Sequence, residues 1–219
     1  VYMISDNLKK RSVTSIILLI LIFSIFNSNL ILVYGLIVLG ILSILEFINI
    51  TGRVTTKKLY LFALNIIFIT YIFIFCFMFF FFASVLHLKI ILFSLLIGCI
   101  ASDIGGYVFG KIFKGPKLIK ISPKKTVSGA FGSLIFTCLA ISFLAIYFTK
   151  NYNYLIFVLS IVTSIGCQVG DLFFSFLKRK ANLKDTGNFL PGHGGVLDRL
   201  DSIFLGIPVG FITLTLFIK

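Results

Sequence analysis

Apolar runs long enough to form membrane-crossing helices, separated by short polar breaks, pattern this chain almost from end to end. A first run covers about Val13–Phe26 and is short for a full span. Asn27, Ser28 and Asn29 interrupt it, and a second run continues to about Ile50. The polar turn Gly52–Lys58 precedes a third run, about Leu59–Phe82, which is rich in phenylalanine. His87 and Lys89 mark the break before a fourth run, about Ile90–Phe109. A basic loop, Lys111–Thr126, leads into a fifth run that ends near Phe148. Polar residues Lys150–Tyr154 precede the sixth, about Leu155–Leu177, and a charged stretch precedes the seventh, about Ile203–Ile218. A bilayer core of about 30 Å takes about 20 apolar residues per helix. The runs are continuous and not alternating, which excludes a transmembrane β-barrel. The expected fold is all-α, a polytopic transmembrane bundle of about seven spanning helices.

Composition agrees: 59% of the 219 residues are hydrophobic, well above the usual globular content of about half. Net charge is +13, and its placement decides what that means. With the N-terminus inside, every Lys and Arg except Lys89, Lys150 and Lys219 falls in a cytoplasmic segment. That asymmetry follows the positive-inside rule and predicts an N-in, C-out topology with both large basic loops in the cytoplasm. Cations between membrane segments point to anionic lipid heads or phosphorylated substrates, not to nucleic acid. Cys76, Cys99, Cys138 and Cys167 stand singly in apolar runs, the pattern of buried free thiols and not of a metal cage. The first run lacks a small-residue cleavage site, so a retained helix is expected there.

Carboxylates inside apolar runs are costly and tend to line cavities or bind cations. Asp103 and Asp171 are two such residues. Ser164, Gln168, Asp171, Ser175 and Lys178 recur at steps of three and four and so share one helical face. That face reads as a catalytic cavity wall or, more blandly, as a polar seam between helices. Gly98, Ser102, Gly106 and Gly110 make a small-residue face suited to close helix packing, with Asp103, Tyr107 and Lys111 beside it. Gly206 and Gly210 read as simple packing. Glu46 is either near the cytoplasmic interface or part of a pocket, and both readings stay open.

The loop chemistry favours phosphate. Lys111–Thr126 carries regularly placed lysines with Gly and Pro, and Lys124, Lys125 and Thr126 offer two cations and a hydroxyl together. It is not a P-loop, because GxxxxGK[ST] is absent, and the same lysines would also serve lipid-head contacts. The stretch Ser175–Asp201 holds Lys178, Arg179, Lys180, Lys184 and Arg199 with Asp185, Asp198 and Asp201. Carboxylates facing a polyphosphate normally act through Mg²⁺. Glycines 192, 194 and 195 let backbone amides approach a phosphate closely. His193 would donate to a phosphate or simply fix the loop.

The pattern S-x-L-K-R-x4-K-D-x-G-x2-L-P-x-H-G-G-V-x-D-R-L-D, from Ser175 to Asp201, resembles the signature of the phosphatidate cytidylyltransferases. Ser102-Asp103 through Gly110-Lys111, Ile121–Thr126 and Gly170-Asp171-Leu172 also resemble that family, so the likeness covers the chain from about Ala101 onward. It implies a transfer of the cytidylyl group of CTP to phosphatidic acid, giving CDP-diacylglycerol and pyrophosphate with Mg²⁺, for phospholipid synthesis. It further implies catalytic roles for Asp171, Asp198, Lys178, Arg179 and His193, with Asp171 and Asp198 as metal ligands. Substrate binding would fall to Asp103, Lys124, Lys125, Thr126, Ser175, Lys184, Asp185, Arg199 and Asp201. Phe174 and Ser128 stand where the family is expected to carry Glu. The chain is short for the family, which implies fewer N-terminal helices.

On this reading residues 1–100 are N-terminal transmembrane helices, and 101–219 form a catalytic region with cytoplasmic loops 111–126 and 178–202. The implied setting is a bacterial inner membrane with the active site facing the cytoplasm. CTP, phosphatidic acid and membrane lipids are the implied partners, and a homodimer is left open. The competing readings are a transporter or flippase of an anionic lipid or phosphate compound, and a CTP-dependent lipid kinase. No inverted repeat supports the transporter.

Overall fold

The computed structural model describes residues 17, 20–119, 122, 125–150, 153–187, 189 and 194–217. Its elements are α1 (20–27), α2 (Asn29–Val54), α3 (Lys58–Ser84), α4 (Leu86–Phe113), α5 (Val127–Thr149), α6 (Tyr154–Lys180) and α7 (Leu197–Phe217). Six of these helices, each of 20 to 28 residues over the apolar span, are long and apolar enough to cross a membrane. The protein is an integral membrane protein, and the all-helical architecture expected from hydropathy stands. Lys117 and Thr126 form an isolated antiparallel bridge.

Packing divides the chain into two compact units: residues up to Ser84 with Leu177–Arg199, and Val85–Phe176 with the chain from Leu200 onward. In the first unit, the polar triplet Asn27-Ser28-Asn29 does break the helix. Ser28 is extended and caps α2, its Oγ accepting from the Ile31 amide. A Cβ on Gly35 would lie 3.3 Å from Ile25 Cδ1. Ten residues along a straight helix would separate these positions by about 15 Å, so the chain doubles back at Ser28. α2 meets α3 through stacked Phe47 and Phe68 rings, 3.8 Å between centroids, and through a Thr51 hydroxyl donating to Asn65 Oδ1 at 2.8 Å. Phe62, Phe73 and Phe77 are exposed on α3, as lipid-facing residues should be.

In the second unit, the small-residue face of α4 seats α5. Water does not drive helices together inside a bilayer, so close backbone approach has to do it. A Cβ on Gly106 would sit 2.7 Å from Ser133 Oγ, and one on Gly105 would collide with Gly132 and Phe136. Ser133 Oγ donates to the Ser102 carbonyl at 2.8 Å, turning that approach into a buried hydrogen bond. Gly206 plays the same part where α7 meets α6, since a Cβ there would collide with Cys167 Sγ and lie 2.8 Å from Cys99 Sγ. All four cysteines are free, Cys99 and Cys167 buried.

Hydropathy misplaces the helix ends that matter most. α6 continues to Lys180 and α7 starts at Leu197, so Lys178 and Arg179 lie in a last helical turn, Asp198 and Arg199 in a first one, and Asp201 just beyond it. These residues were expected in a loop because charge lowers hydropathy without preventing helix formation. Cations near a helix C-terminus and a carboxylate near an N-terminus complement the helix dipole.

Candidate functional site

In the first unit, α6 ends in a Schellman motif. Asn182 takes the left-handed conformation with φ of 56°, while the Leu183 amide donates to the Lys178 carbonyl and the Asn182 amide to that of Arg179. Asn is one of the few non-glycine residues that tolerates this geometry. The turn fixes Lys178, whose Nζ donates to Asp198 Oδ1 at 2.6 Å. Asp198 Oδ2 accepts from the Thr186 amide at 2.8 Å and the Gly195 amide at 3.1 Å, and the Thr186 hydroxyl oxygen lies 3.1 Å from it. Both oxygens of this carboxylate are therefore engaged. Gly194 has φ of +84°, which favours glycine, and a Cβ there would lie 3.0 Å from Asp198 Oδ2 and 3.4 Å from Asp185 Cβ.

A second carboxylate reaches the same turn. Glu46 of α2 accepts from the Thr186 hydroxyl at 2.6 Å, the Val196 amide at 2.9 Å and the Leu197 amide at 2.8 Å. The first amides of a helix have no partner within it, and here a side chain distant in sequence satisfies two of them. Arg179 donates to the Leu183 carbonyl at 3.3 Å, while Lys184, Asp185 and Arg199 are exposed. His193 lies outside the described residues.

The second unit holds another lysine–carboxylate pair, Lys125 Nζ to Asp171 Oδ2 at 2.5 Å. The polar face of α6 divides into two parts here. Gln168 donates to the Ala130 carbonyl of α5 at 3.2 Å, which is the interhelix-seam reading. One turn on, Asp171 meets Lys125, and Ser175 Oγ makes a long 3.4 Å contact to Asp171 Oδ1. The loop carrying Lys125 is tied across its base. Leu118 and Lys125 pair through backbone at 2.8 Å, Val127 donates to the Pro116 carbonyl at 3.0 Å, and Ser128 Oγ donates to the Lys114 carbonyl. Thr126 caps α5, its Oγ1 accepting from the Gly129 amide at 3.1 Å. Lys124 lies outside the described residues. Ser202 donates to Asp103 Oδ2 at 3.1 Å, and Asp201 is buried, with Oδ1 accepting from the Ser202 amide at 2.9 Å.

The model of the cytidylyltransferase family matches residues 65–217. The chain belongs to the cytidylyltransferase family. Among curated relatives, the phosphatidate cytidylyltransferase of Rickettsia bellii (strain RML369-C) is 44% identical over 117 residues, covering 50% of this chain and 51% of that protein. The one from Rickettsia felis is 42% identical over 127 residues, 53% of this chain and 56% of its own. That of Mycobacterium leprae is 40% identical over 125 residues, 57% of this chain and 40% of its own. The matched stretches span about half the length of the Rickettsia relatives. Both lysine–carboxylate pairs lie within the family match, whereas Glu46 lies before it.

A family of this kind implies a divalent cation, and the donor chemistry can be tested against one. Mg²⁺ is usually held by one or two carboxylates, with substrate phosphates and water completing its shell. Asp171 fits: a third of its side chain is exposed, and among the described residues it makes, apart from Lys125, one long contact to Ser175. Asp198 fits less well, because a cation would have to displace Lys178 and share Oδ2 with two backbone amides. Among the described residues no three His, Cys, Asp or Glu side chains gather as a ready-made metal cage.

Neither hydropathy nor spacing points to Thr186, whose amide and hydroxyl both serve carboxylates. Its isolation among charged neighbours is the only sequence signal, and that is weak.

Proposed function

We propose that this protein transfers the cytidylyl group of CTP to phosphatidic acid. A phosphate oxygen of phosphatidic acid attacks the α-phosphorus of CTP, the bond to the β-phosphate breaks, and pyrophosphate leaves with CDP-diacylglycerol as product. The second pKa of a phosphate monoester is near 6, so the nucleophile is already largely anionic at neutral pH and no strong base is required. The difficulty is electrostatic, because two anions must meet, and fixed cations lower that barrier. Lys125 and Lys178 are held ready by their carboxylates, and Arg179, Lys184 and Arg199 are exposed for phosphate contact. Lys124 and His193 join them as proposed phosphate ligands.

Asp171 would hold the magnesium ion, which when bound neutralises phosphate charge. Asp198 orients Lys178 and the turn around it. Asp103 and Asp201 support the polar face near Ser202, Asp185 backs the turn at Gly194, and Ser175 and Thr126 offer hydroxyls. The lysine-rich loops favour a cytoplasm-facing site in a bacterial inner membrane with the N-terminus inside. Acyl chains would stay in lipid against exposed aromatic and aliphatic residues.

One observation carries this reading: the cytidylyltransferase match runs through both lysine–carboxylate pairs. The test is incubation of purified protein in lipid nanodiscs with labelled CTP, phosphatidic acid and Mg²⁺. CDP-diacylglycerol and pyrophosphate should form in equal amounts, and EDTA or Asp171→Asn should abolish them. Release of CDP would instead identify a lipid kinase. Lipid movement between leaflets without CTP turnover would replace the enzyme with a transporter.

A further inference from the structure

We infer that Glu46, on a helix that precedes the family match, is a positioning residue that holds the Lys178–Asp198 centre in its working geometry. The inference rests on the cytidylyl-transfer reading for the meaning of that centre, but not for the contacts themselves. All of them lie within one compact unit.

Glu46 is 2% exposed. A buried carboxylate survives only where donors replace water, and three do so here: the Thr186 hydroxyl and the amides of Val196 and Leu197. The two amides stand at the head of α7, Val196 just before it and Leu197 its first residue, so the positive end of the helix dipole also favours the charge. The side chain thereby caps a helix 150 residues further along the chain.

The contacts continue to the reactive groups. The Thr186 hydroxyl sits 2.6 Å from Glu46 Oε2 and 3.1 Å from Asp198 Oδ2, and the Thr186 amide donates to that same Asp198 oxygen at 2.8 Å. Asp198 in turn holds Lys178 Nζ at 2.6 Å. Glu46 and Asp198 thus grip one turn from two sides and set where the ammonium stands. Glu46 also accounts for two glycines in the motif. A Cβ on Gly187 would come 2.8 Å from Glu46 Oε1, and one on Gly195 would collide with the Glu46 carboxylate and Thr186 Oγ1. The motif leaves room for a carboxylate that it does not itself contain.

The experiment uses the full chain in nanodiscs with Glu46→Gln and Glu46→Ala. Gln keeps the shape but retains a single acceptor oxygen, so it is the variant most apt to fold. Hydrogen exchange over residues 183–199 and initial rates at varied CTP are measured, with thermal unfolding as the check on folded fraction. Exchange at Thr186, Val196 and Leu197 should quicken at least tenfold in both variants, while peptides from α4 and α5 stay as in the wild type. The KM for CTP should rise at least fivefold in the folded Gln variant, and further in the Ala variant. A merely structural role would lower the folded fraction and the apparent kcat but leave that KM in place. Wild-type exchange in the loop, or a wild-type KM with a loosened loop, would overturn the assignment. If the wild type itself turned over no CTP, the functional reading would fail, and the exchange measurement alone would decide whether Glu46 holds the loop.

Discussion

Two lysine–aspartate pairs of nearly equal length sit in unlike surroundings. Lys178 and Asp198 are 2.6 Å apart with side chains 12% and 8% exposed, and Asp198 takes two further hydrogen bonds from backbone amides. Lys125 and Asp171 are 2.5 Å apart with side chains 24% and 33% exposed, and among the described residues Asp171 adds one long contact from Ser175. Equal distances therefore hide different jobs. A charge whose acceptor positions are filled is part of the scaffold, because any ligand must first break what holds the turn. A charge with open acceptor positions is where a cation or a phosphate-bearing substrate can bind at little structural cost.

The largest test of that contrast is Asp198→Asn. It leaves the Lys178 ammonium without this charged partner, because Asn keeps one acceptor oxygen and the Thr186 and Gly195 amides share Oδ2 while Lys178 takes Oδ1. Removing one member of a buried pair costs about 3–5 kcal/mol. Chemical unfolding in mixed micelles should show a loss of that size, together with loss of turnover. Wild-type stability in this variant would erase the distinction between the two pairs.

Gly187→Ala comes next. Its new Cβ meets Glu46, and overpacking of this kind costs about 1–3 kcal/mol. In a Glu46→Ala background the same change should cost far less, a non-additivity that a double-mutant cycle reads directly. Additive costs would mean that the close approach has no energetic weight.

Thr126→Ala probes the other unit through the base of its loop. Loss of an N-cap side chain costs about 1 kcal/mol, visible as a modest fall in the unfolding midpoint. The smallest stability change belongs to Asp171→Asn, at most about 1 kcal/mol, because a partly exposed ion pair is worth little to folding. Its turnover should nonetheless fall by about 100-fold or more, the usual loss when a charge-stabilising group is removed. A variant that lost stability and activity in proportion would make Asp171 a scaffold residue like Asp198.

Much of this was legible from residue order. Continuous apolar runs dictate spanning helices because a bilayer leaves backbone groups no other partner. The break at Ser28 and the small-residue face of α4 could be read from spacing alone, since both depend on local geometry. So could the sharing of one α6 face by Gln168, Asp171 and Ser175. The family resemblance also rested on contiguous residues, and the family match includes them.

The tertiary structure decided what hydropathy averages away. α7 starts at Leu197 and not near Ile203 because Glu46 and Asp198 satisfy amides at its head, and Glu46 does so from 150 residues away. The loop around Lys125 is closed by backbone bonds that no lysine pattern encodes. Asp171 stands inside an apolar run and Asp198 before one, but neither placement tells how exposed each is or how many donors the fold aims at it among the described residues. Residue identity sets what charge is present, and packing sets how much of it is left to bind anything else.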